Sequence, residues 1–245
     1  GNNNIGGVFD CDIERPEQYL VNIWLEEGAN VLEFGTRFGH TTCAISEKLA
    51  GTGNIVTIEP DHSIWNYTRR NLKRHHCNAN FVEGVLGNED ESYVVVEGEY
   101  GTRVVPKIST ENILNTIKSE YQKRNFRDDV STTVIPTTSL SSIEMNMGVV
   151  FDTLIIDCEG CVFEALLAVG KSMANVRTII LEADMSDLPG SDCTYRCVDY
   201  NSVFRELSLL RFQQMEMVND CERKKTGLPL NKTCYPWIDH FVFKR

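Results

Sequence analysis

Short apolar runs alternate with longer amphipathic stretches along most of this chain. Residues 16–27 predict a helix with Tyr19, Ile23 and Leu20 as its apolar stripe, broken at Gly28-Ala29-Asn30. Val31–Phe34 predicts a first strand, Thr41–Leu49 a helix closed by Gly51-Thr52-Gly53, and Ile55–Glu59 a second strand. Asp61 is a suitable N-cap for a helix to about His75, with Ile64, Thr68 and Leu72 inward, and a third strand follows at 79–83. Then the alternation is interrupted. Residues 92–96 and 102–108 suggest a hairpin, Ser109 or Thr110 caps a helix carrying Ile113, Ile117 and Tyr121, and 130–135 suggests an edge strand. Phe151–Ile156 is a continuous apolar run suited to a strand buried on both faces. A helix over 162–173, a strand at 178–181, a helix marked by Val203, Leu207 and Leu210, and two final strands near 212–218 and 238–243 complete the pattern. The expected architecture is α/β: three layers, a mostly parallel sheet with helices on both faces, ending in a hairpin. We expect one domain over residues 1–245 with an insertion at about 88–148.

At 245 residues and 42% hydrophobic content the chain suits one domain with a large core. Its 24 basic and 35 acidic residues leave a net charge of −11, which argues against a nucleic-acid substrate, since phosphate contacts require a positive footprint. Nine cysteines cannot all pair within one chain, and their scattered spacing predicts mostly free thiols, with Cys193, Cys197, Cys221 and Cys234 able to form a surface pair or two. Asn66-Tyr67-Thr68 and Asn231-Lys232-Thr233 are glycosylation triplets of a kind that arises by chance. No run reaches the roughly 20 apolar residues of a membrane span. The expectation is a soluble, cytoplasmic or otherwise intracellular protein of undetermined oligomeric state; the opening Gly1 is consistent with a piece of a longer one.

The chemistry concentrates at the strand ends. Val31 to Gly39 reads Val-Leu-Glu-Phe-Gly-Thr-Arg-Phe-Gly, a strand running into a glycine turn at a helix start. Glycines let a ligand approach the backbone, and the first turn of a helix offers free N–H groups. Glu59, twenty residues after Gly39, can take both hydroxyls of a ribose. The spacing acid-x-Gly-x-x-x-Gly lacks the middle glycine that admits a pyrophosphate, and Glu33 would repel one. Glu33 instead suits a cationic amino-acid end such as that of S-adenosylmethionine. Asp157-Cys158-Glu159-Gly160 and Glu182-Ala183-Asp184 end two later strands.

Glu33-x-Gly35-x-x-x-Gly39, Glu59-Pro60 and Asp157-x-Glu159-Gly160 before a helix resemble the FkbM-type family of S-adenosylmethionine-dependent methyltransferases, over roughly 28–87 and 137–185. The resemblance implies the class I methyltransferase fold, a seven-stranded sheet with its last strand antiparallel, and O-methylation of a sugar, glycan or small hydroxylated metabolite. It puts the methionine end of the cofactor near Glu33, Gly35, Thr36, Gly39, His40 and Thr41, the ribose on Glu59, and the adenine against Val85 and Leu86. Members commonly read Gly-Ala-Asn where this chain has Gly35-Thr36-Arg37, and Val162 stands where an acid is often found. The first motif is equally similar to catechol-type O-methyltransferases, whose magnesium ion would here fall to Asp157, Glu182 and Asp184; Gly160 stands where that group has a lysine.

Methyl transfer to a hydroxyl needs positioning and a base. The candidates are Asp157, Glu159 and Glu182, with His40 beside them. Of Asp157 and Glu159, we assign the place facing the pocket to Asp157. Glu159 is equally suited to stabilising a helix start. The Asn/Asp-Pro-Pro-aromatic signature of amino-methyltransferases is absent at 157–160, which favours an oxygen acceptor. Two other classes stay open: a non-catalytic cofactor-binding module of a larger protein, and an NAD-dependent oxidoreductase.

Overall fold

A computed structural model describes residues 14–88, 93–97, 102–106, 131–158, 161–184, 198–227, 235–236 and 238–245. Its elements in chain order are α1 (Arg15–Trp24), β1 (Asn30–Phe34), α2 (His40–Leu49), β2 (Asn54–Glu59), α3 (Trp65–Arg74), β3 (Asn80–Glu83) and β4 (Val85–Leu86). Next come β5 (Tyr93–Glu97), β6 (Thr102–Pro106), β7 (Ser131–Ile135), β8 (Thr137–Thr138), α4 (Leu140–Met147), β9 (Thr153–Ile156) and α5 (Val162–Val169). The chain ends with β10 (Thr178–Asp184), α6 (Tyr200–Leu209), β11 (Gln213–Asn219), α7 (Arg223–Thr226) and β12 (Ile238–Lys244).

The main sheet has seven strands in the order β11-β12-β10-β9-β1-β2-β3. β1 pairs in parallel with β2 and β9, β9 with β10 and β2 with β3, while β12 runs antiparallel to both β10 and β11. The expected seven strands with an antiparallel last member are present. Strand order reverses between β1 and β9, and in an open α/β sheet ligands bind beyond the carboxyl ends of the strands at that crevice.

Alternate strand residues feed two apolar layers. On one face Leu32, Ile156 and Leu181 meet Ile143 of α4, Ala165 and Val169 of α5, and Val203 and Leu207 of α6. On the other Val31, Ile55, Ile155, Ile180 and Val242 meet Leu20 and Val21 of α1 and Ile45 and Leu49 of α2. Fully burying such a side chain is worth about 1.5–3 kcal/mol, so the two layers carry the hydrophobic stabilisation. Glu33, Thr57, Glu59 and Glu182 have the same strand parity as this second layer, so the sheet sends them toward the α1/α2 side.

Several expected elements shift. The inward residues of α1 are Leu20 and Val21, whereas Ile23 is exposed. α3 starts at Trp65 after Ile64, and Asp61 instead accepts from the Ser63 N–H in the turn before it. The helix from Val162 tightens into 3₁₀ form over Gly170–Asn175, and Leu210 is exposed beyond the end of α6. In the interrupting region β5 pairs antiparallel with both β6 and β7, so the expected hairpin and extra strand join in one small sheet. β4 pairs in parallel with β8, which returns the chain to the core beside Val85. The helix expected after Ser109 and most of the 185–200 loop lie outside the described residues.

The expectation of mostly free thiols is overturned. Cys43 of α2 is bonded to Cys77 after α3, Cys158 is bonded to Cys161, and Cys221 is also disulfide-bonded. Folding juxtaposes Cys43 and Cys77 across a separation of 34 residues, which spacing alone does not reveal.

Between β1 and β9 the backbones come very close. Gly35 has φ +90°, and a Cβ there would stand 1.6 Å from the Asp157 carbonyl oxygen. A Gly35→Ala variant is therefore expected to lose at least about 2 kcal/mol, read as a lower denaturation midpoint, through both left-handed strain and backbone displacement. Replacing both Cys43 and Cys77 by Ala frees a long loop in the unfolded chain and should cost about 4 kcal/mol in chemical unfolding. A reductant should destabilise the parent protein by at least that much and the double variant by less, since only the Cys158–Cys161 bond and the bond at Cys221 remain there among the described residues.

Candidate functional site

The site is built from the turn after β1. Gly35 and Thr36 both donate their N–H to the Ile58 carbonyl, at 3.1 and 3.2 Å, which folds the turn back over β2. Arg37 follows at φ +46°, in the left-handed region that favours Asn among non-glycine residues. Its N–H donates to Glu59 Oε2 at 2.7 Å, its carbonyl accepts from the Thr68 hydroxyl, and its guanidinium lies out over the Phe38 ring. Asn71 holds the Phe38 carbonyl at 3.1 Å. Gly39, at φ +88°, caps α2, and a Cβ there would press on Leu72 at 2.9 Å.

Glu33 lies beneath this turn, 1% exposed. Its Oε2 accepts from the Thr42 hydroxyl at 2.6 Å, and its Oε1 is buried without a hydrogen bond of acceptable geometry. Burial pushes its pKa from 4.5 to about 7, with the Thr42 and Thr57 hydroxyls pulling the other way. Thr36 is buried and its hydroxyl pairs with that of Thr57.

Glu59 ends β2. Its Oε2 holds Arg37 N–H and its Oε1 holds Asp61 N–H at 2.8 Å; burial outweighs these bonds and lifts its pKa to about 7. The carboxylate thus braces the glycine turn. Each oxygen retains a second lone pair, so bracing leaves capacity for ribose hydroxyls. Around it, the Glu59 carbonyl accepts from the Trp65 indole at 2.8 Å and from Gly84 N–H at 2.9 Å. Val85 is buried and packs with Ile135, while Leu86 is half-buried.

At the start of α2, Glu14 supplies a carboxylate that belongs to no sequence motif. Its Oε2 accepts from Thr41 N–H at 3.3 Å and Thr41 Oγ1 at 3.0 Å, and stands 3.9 Å from His40 Nδ1. Burial, then the charge of Glu17, pushes the Glu14 pKa to about 8. Burial and the nearby Arg37 hold His40 below the ordinary histidine value.

Asp157 continues β9 by one rung, donating its N–H to the Phe34 carbonyl at 3.0 Å, and is half-buried beside the glycine turn. Glu159 and the side chain of Asp184 lie outside the described residues. Glu182 goes elsewhere: its Oε2 is 3.2 Å from His240 Nε2, which is also 2.5 Å from Glu17 Oε1. Burial opposes charge on His240, but the two carboxylates outweigh it and hold its pKa well above the usual value; burial likewise raises Glu182. Among the described residues this is the one group of three ligand-type side chains gathered closely enough for a metal ion, and Asp157 is not in it. Glu17 and His240 gave no signal in the sequence because they lie on α1 and β12, at opposite ends of the chain.

The residues present fit the expected cofactor on two observations. Glu33 Oε1 is a buried acceptor in need of a cationic donor, and the glycine turn keeps the floor beside Asp157 free of side chains.

Comparison with known proteins bears on the family and the fold. The family described as the methyltransferase FkbM domain matches residues 27–213. No curated protein sequence matches the chain. Among solved structures, a Klebsiella pneumoniae protein provisionally named an O-methyltransferase aligns with a TM-score of 0.50 at 14% identity, covering 98% of this chain and 82% of its own. A protein of the NADB-Rossmann superfamily from Streptococcus agalactiae aligns with a TM-score of 0.50 at 11% identity, covering 94% and 67%. The O-methyltransferase from Bacillus cereus in complex with S-adenosylhomocysteine aligns at 0.49 and 16% identity, covering 94% and 80%. Such identities speak to fold alone, whereas the family match spans most of the chain and every strand of the site. The chain belongs to the FkbM family of S-adenosylmethionine-dependent methyltransferases.

Proposed function

We propose that the protein methylates a hydroxyl group of a sugar, glycan or small hydroxylated metabolite. The observation that carries the reading is the buried, half-satisfied Glu33 beneath the glycine turn, with Asp157 at the neighbouring strand end. S-adenosylmethionine, when bound, supplies an electrophilic methyl on a sulfonium. Glu33 holds the cationic amino group, Gly35, Thr36 and Gly39 shape the floor, His40 and Thr41 flank it at the α2 start, and Glu59 takes the ribose. Val85 and Leu86 border the adenine. Asp157 orients the acceptor hydroxyl and receives its proton; Glu159 belongs to the same turn. The disulfides at Cys43–Cys77 and Cys158–Cys161 favour work in an oxidising compartment rather than in the reducing cytosol.

Incubation with methyl-labelled S-adenosylmethionine and a panel of sugars and glycans tests the reading. Label should appear on an oxygen in at least one acceptor. Cofactor binding without any transfer would favour a non-catalytic module, and tight NAD binding with no affinity for S-adenosylhomocysteine would overturn the proposal. Asp157→Asn should lower kcat by about 10²–10⁴ while the S-adenosylhomocysteine Kd stays unchanged. A variant that keeps full turnover would remove Asp157 from the role of base.

The raised pKa of Glu33 fixes the direction of a pH test. A carboxyl that binds its proton more tightly when folded adds stability below its unfolded value near 4.5, and that stability is lost as pH rises through about 7. In the cofactor-free protein at pH 8 its ionisation costs roughly 3 kcal/mol. Glu33→Gln should then be no less stable than the parent at pH 8, with the difference shrinking toward pH 5 in urea unfolding. The same variant should bind S-adenosylhomocysteine at least about tenfold more weakly, through loss of a charge-assisted bond. Parent affinity should fall as pH drops below about 7. Equal affinity of parent and variant across the range would displace the amino group from Glu33.

A further inference from the structure

We propose that Glu17, Glu182 and His240 form a binding site for one divalent transition-metal ion, zinc by preference, at the seam between α1 and the antiparallel end of the sheet. One ligand atom from each residue lies within 4.8 Å of the other two. The three come from α1, β10 and β12, so the folded chain assembles the set.

Three observations point to a cation. His240 Nδ1 faces the Val218 carbonyl at 3.3 Å, an acceptor only, so Nδ1 carries a proton and Nε2 is the nitrogen turned toward the two carboxylates, the position from which a metal ion would displace the second ring proton. Metal-ligating histidines commonly spend their second ring nitrogen on a backbone carbonyl in this way. Both oxygens of Glu17, a residue 1% exposed, are sealed from solvent without a hydrogen bond of acceptable geometry, although Oε1 approaches Nε2. Finally, once a metal ion displaces the proton on Nε2, two carboxylates and a neutral imidazole sum to two negative charges, which a divalent ion cancels in a place where uncompensated charge is costly.

Distances and ligand chemistry select the ion. Tetrahedral ligands at 2.0–2.2 Å from zinc lie about 3.3–3.6 Å apart, and His240 Nε2 to Glu182 Oε2 is already 3.2 Å. Glu17 Oε1, at 2.5 Å from Nε2, has to withdraw by about 1 Å, which rotation of its side chain allows. Imidazole beside carboxylate favours zinc over magnesium, which prefers an all-oxygen shell. Glu182 retains 12% side-chain exposure against 1% and 2% for His240 and Glu17, so the ion enters from the β10 side. A bound ion would tie α1 to the sheet three residues after Glu14, the carboxylate that α1 sets against the start of α2. The inference does not depend on the methyl-transfer reading.

The test uses the whole chain, stripped with a chelator, dialysed, and titrated with Zn²⁺ against a chromophoric competitor. One equivalent should bind, and the zinc K-edge spectrum should show a nitrogen and oxygen shell with one imidazole and no sulfur. Glu182→Gln and His240→Gln should each weaken binding at least about a hundredfold. Should His240→Gln fail to fold, Glu182→Gln decides, since Glu182 is the most exposed of the three and Gln keeps its shape. Absence of stoichiometric binding, a sulfur shell, or unchanged affinity in a folded Glu182→Gln variant would overturn the proposal. S-adenosylhomocysteine titrations on the same samples separate this result from the fate of the cofactor site.

Discussion

The contact between Gly35 and the Asp157 carbonyl is the constraint on which the site depends. Parallel strands β1 and β9 diverge in sequence by more than a hundred residues, yet their carboxyl ends are held together by the Asp157 N–H to Phe34 bond and by a glycine that leaves no side chain between them. That closeness puts the glycine turn, the α2 start and Asp157 on one floor. A side chain at position 35 would separate the strand end that presents Asp157 from the turn that presents Glu33. The reading of the site therefore rests on a backbone approach, and the acids gain their meaning from where it puts them.

The second consequence is electrostatic. The parity of the strands directs Glu33, Glu59 and Glu182 toward the apolar layer shared with α1 and α2, where burial raises all three pKa values. Hydroxyls and backbone N–H groups offset part of the cost but not all of it. Carboxylates held this way are destabilising unless a cation or hydroxyl donor arrives, so the fold stores at the strand ends a preference for such ligands. Glu14 adds another buried carboxyl with a raised pKa at the α2 start, where the helix dipole favours its ionised form.

How much of this was legible in the sequence follows from the range of each interaction. The β/α alternation and the glycine turn are local patterns of a few residues, and each is found where the period or motif put it; of the strand-end acids, Glu33, Glu59 and Asp157 lie at the ends of β1, β2 and β9, whereas Glu182 joins Glu17 and His240. The breaks in register are also local, as in α1, where Ile23 is exposed and Val21, two positions earlier, takes the inward place beside Leu20. What escaped joins distant segments. Glu14 meets Thr41 across 27 residues, His240 meets Glu182 across 58, and Cys43 meets Cys77 across 34. No spacing rule connects such pairs, because the sheet order that brings β12 between β10 and β11 has to exist first. The Cys43–Cys77 bond escaped for this reason, whereas Cys158 and Cys161 bond across only three residues, a local pair whose spacing does not by itself distinguish thiols from a disulfide.

Arg37 looked like the residue that fitted the family least, and the backbone explains why it can stand there. Position 37 is left-handed, the conformation in which Asn is favoured, so the family's Gly-Ala-Asn and this chain's Gly35-Thr36-Arg37 meet one backbone requirement with different side chains. The work of the position is done by its peptide groups, the N–H to Glu59 and the carbonyl to Thr68. The guanidinium itself lies outside over Phe38, where its charge lowers the His40 pKa and adds a favourable term for Glu59. Arginine thus accepts the strain of a left-handed residue in exchange for a positive charge at the rim of an otherwise acidic floor, and the turn keeps its shape because the two hydrogen bonds, and not the side chain, define it.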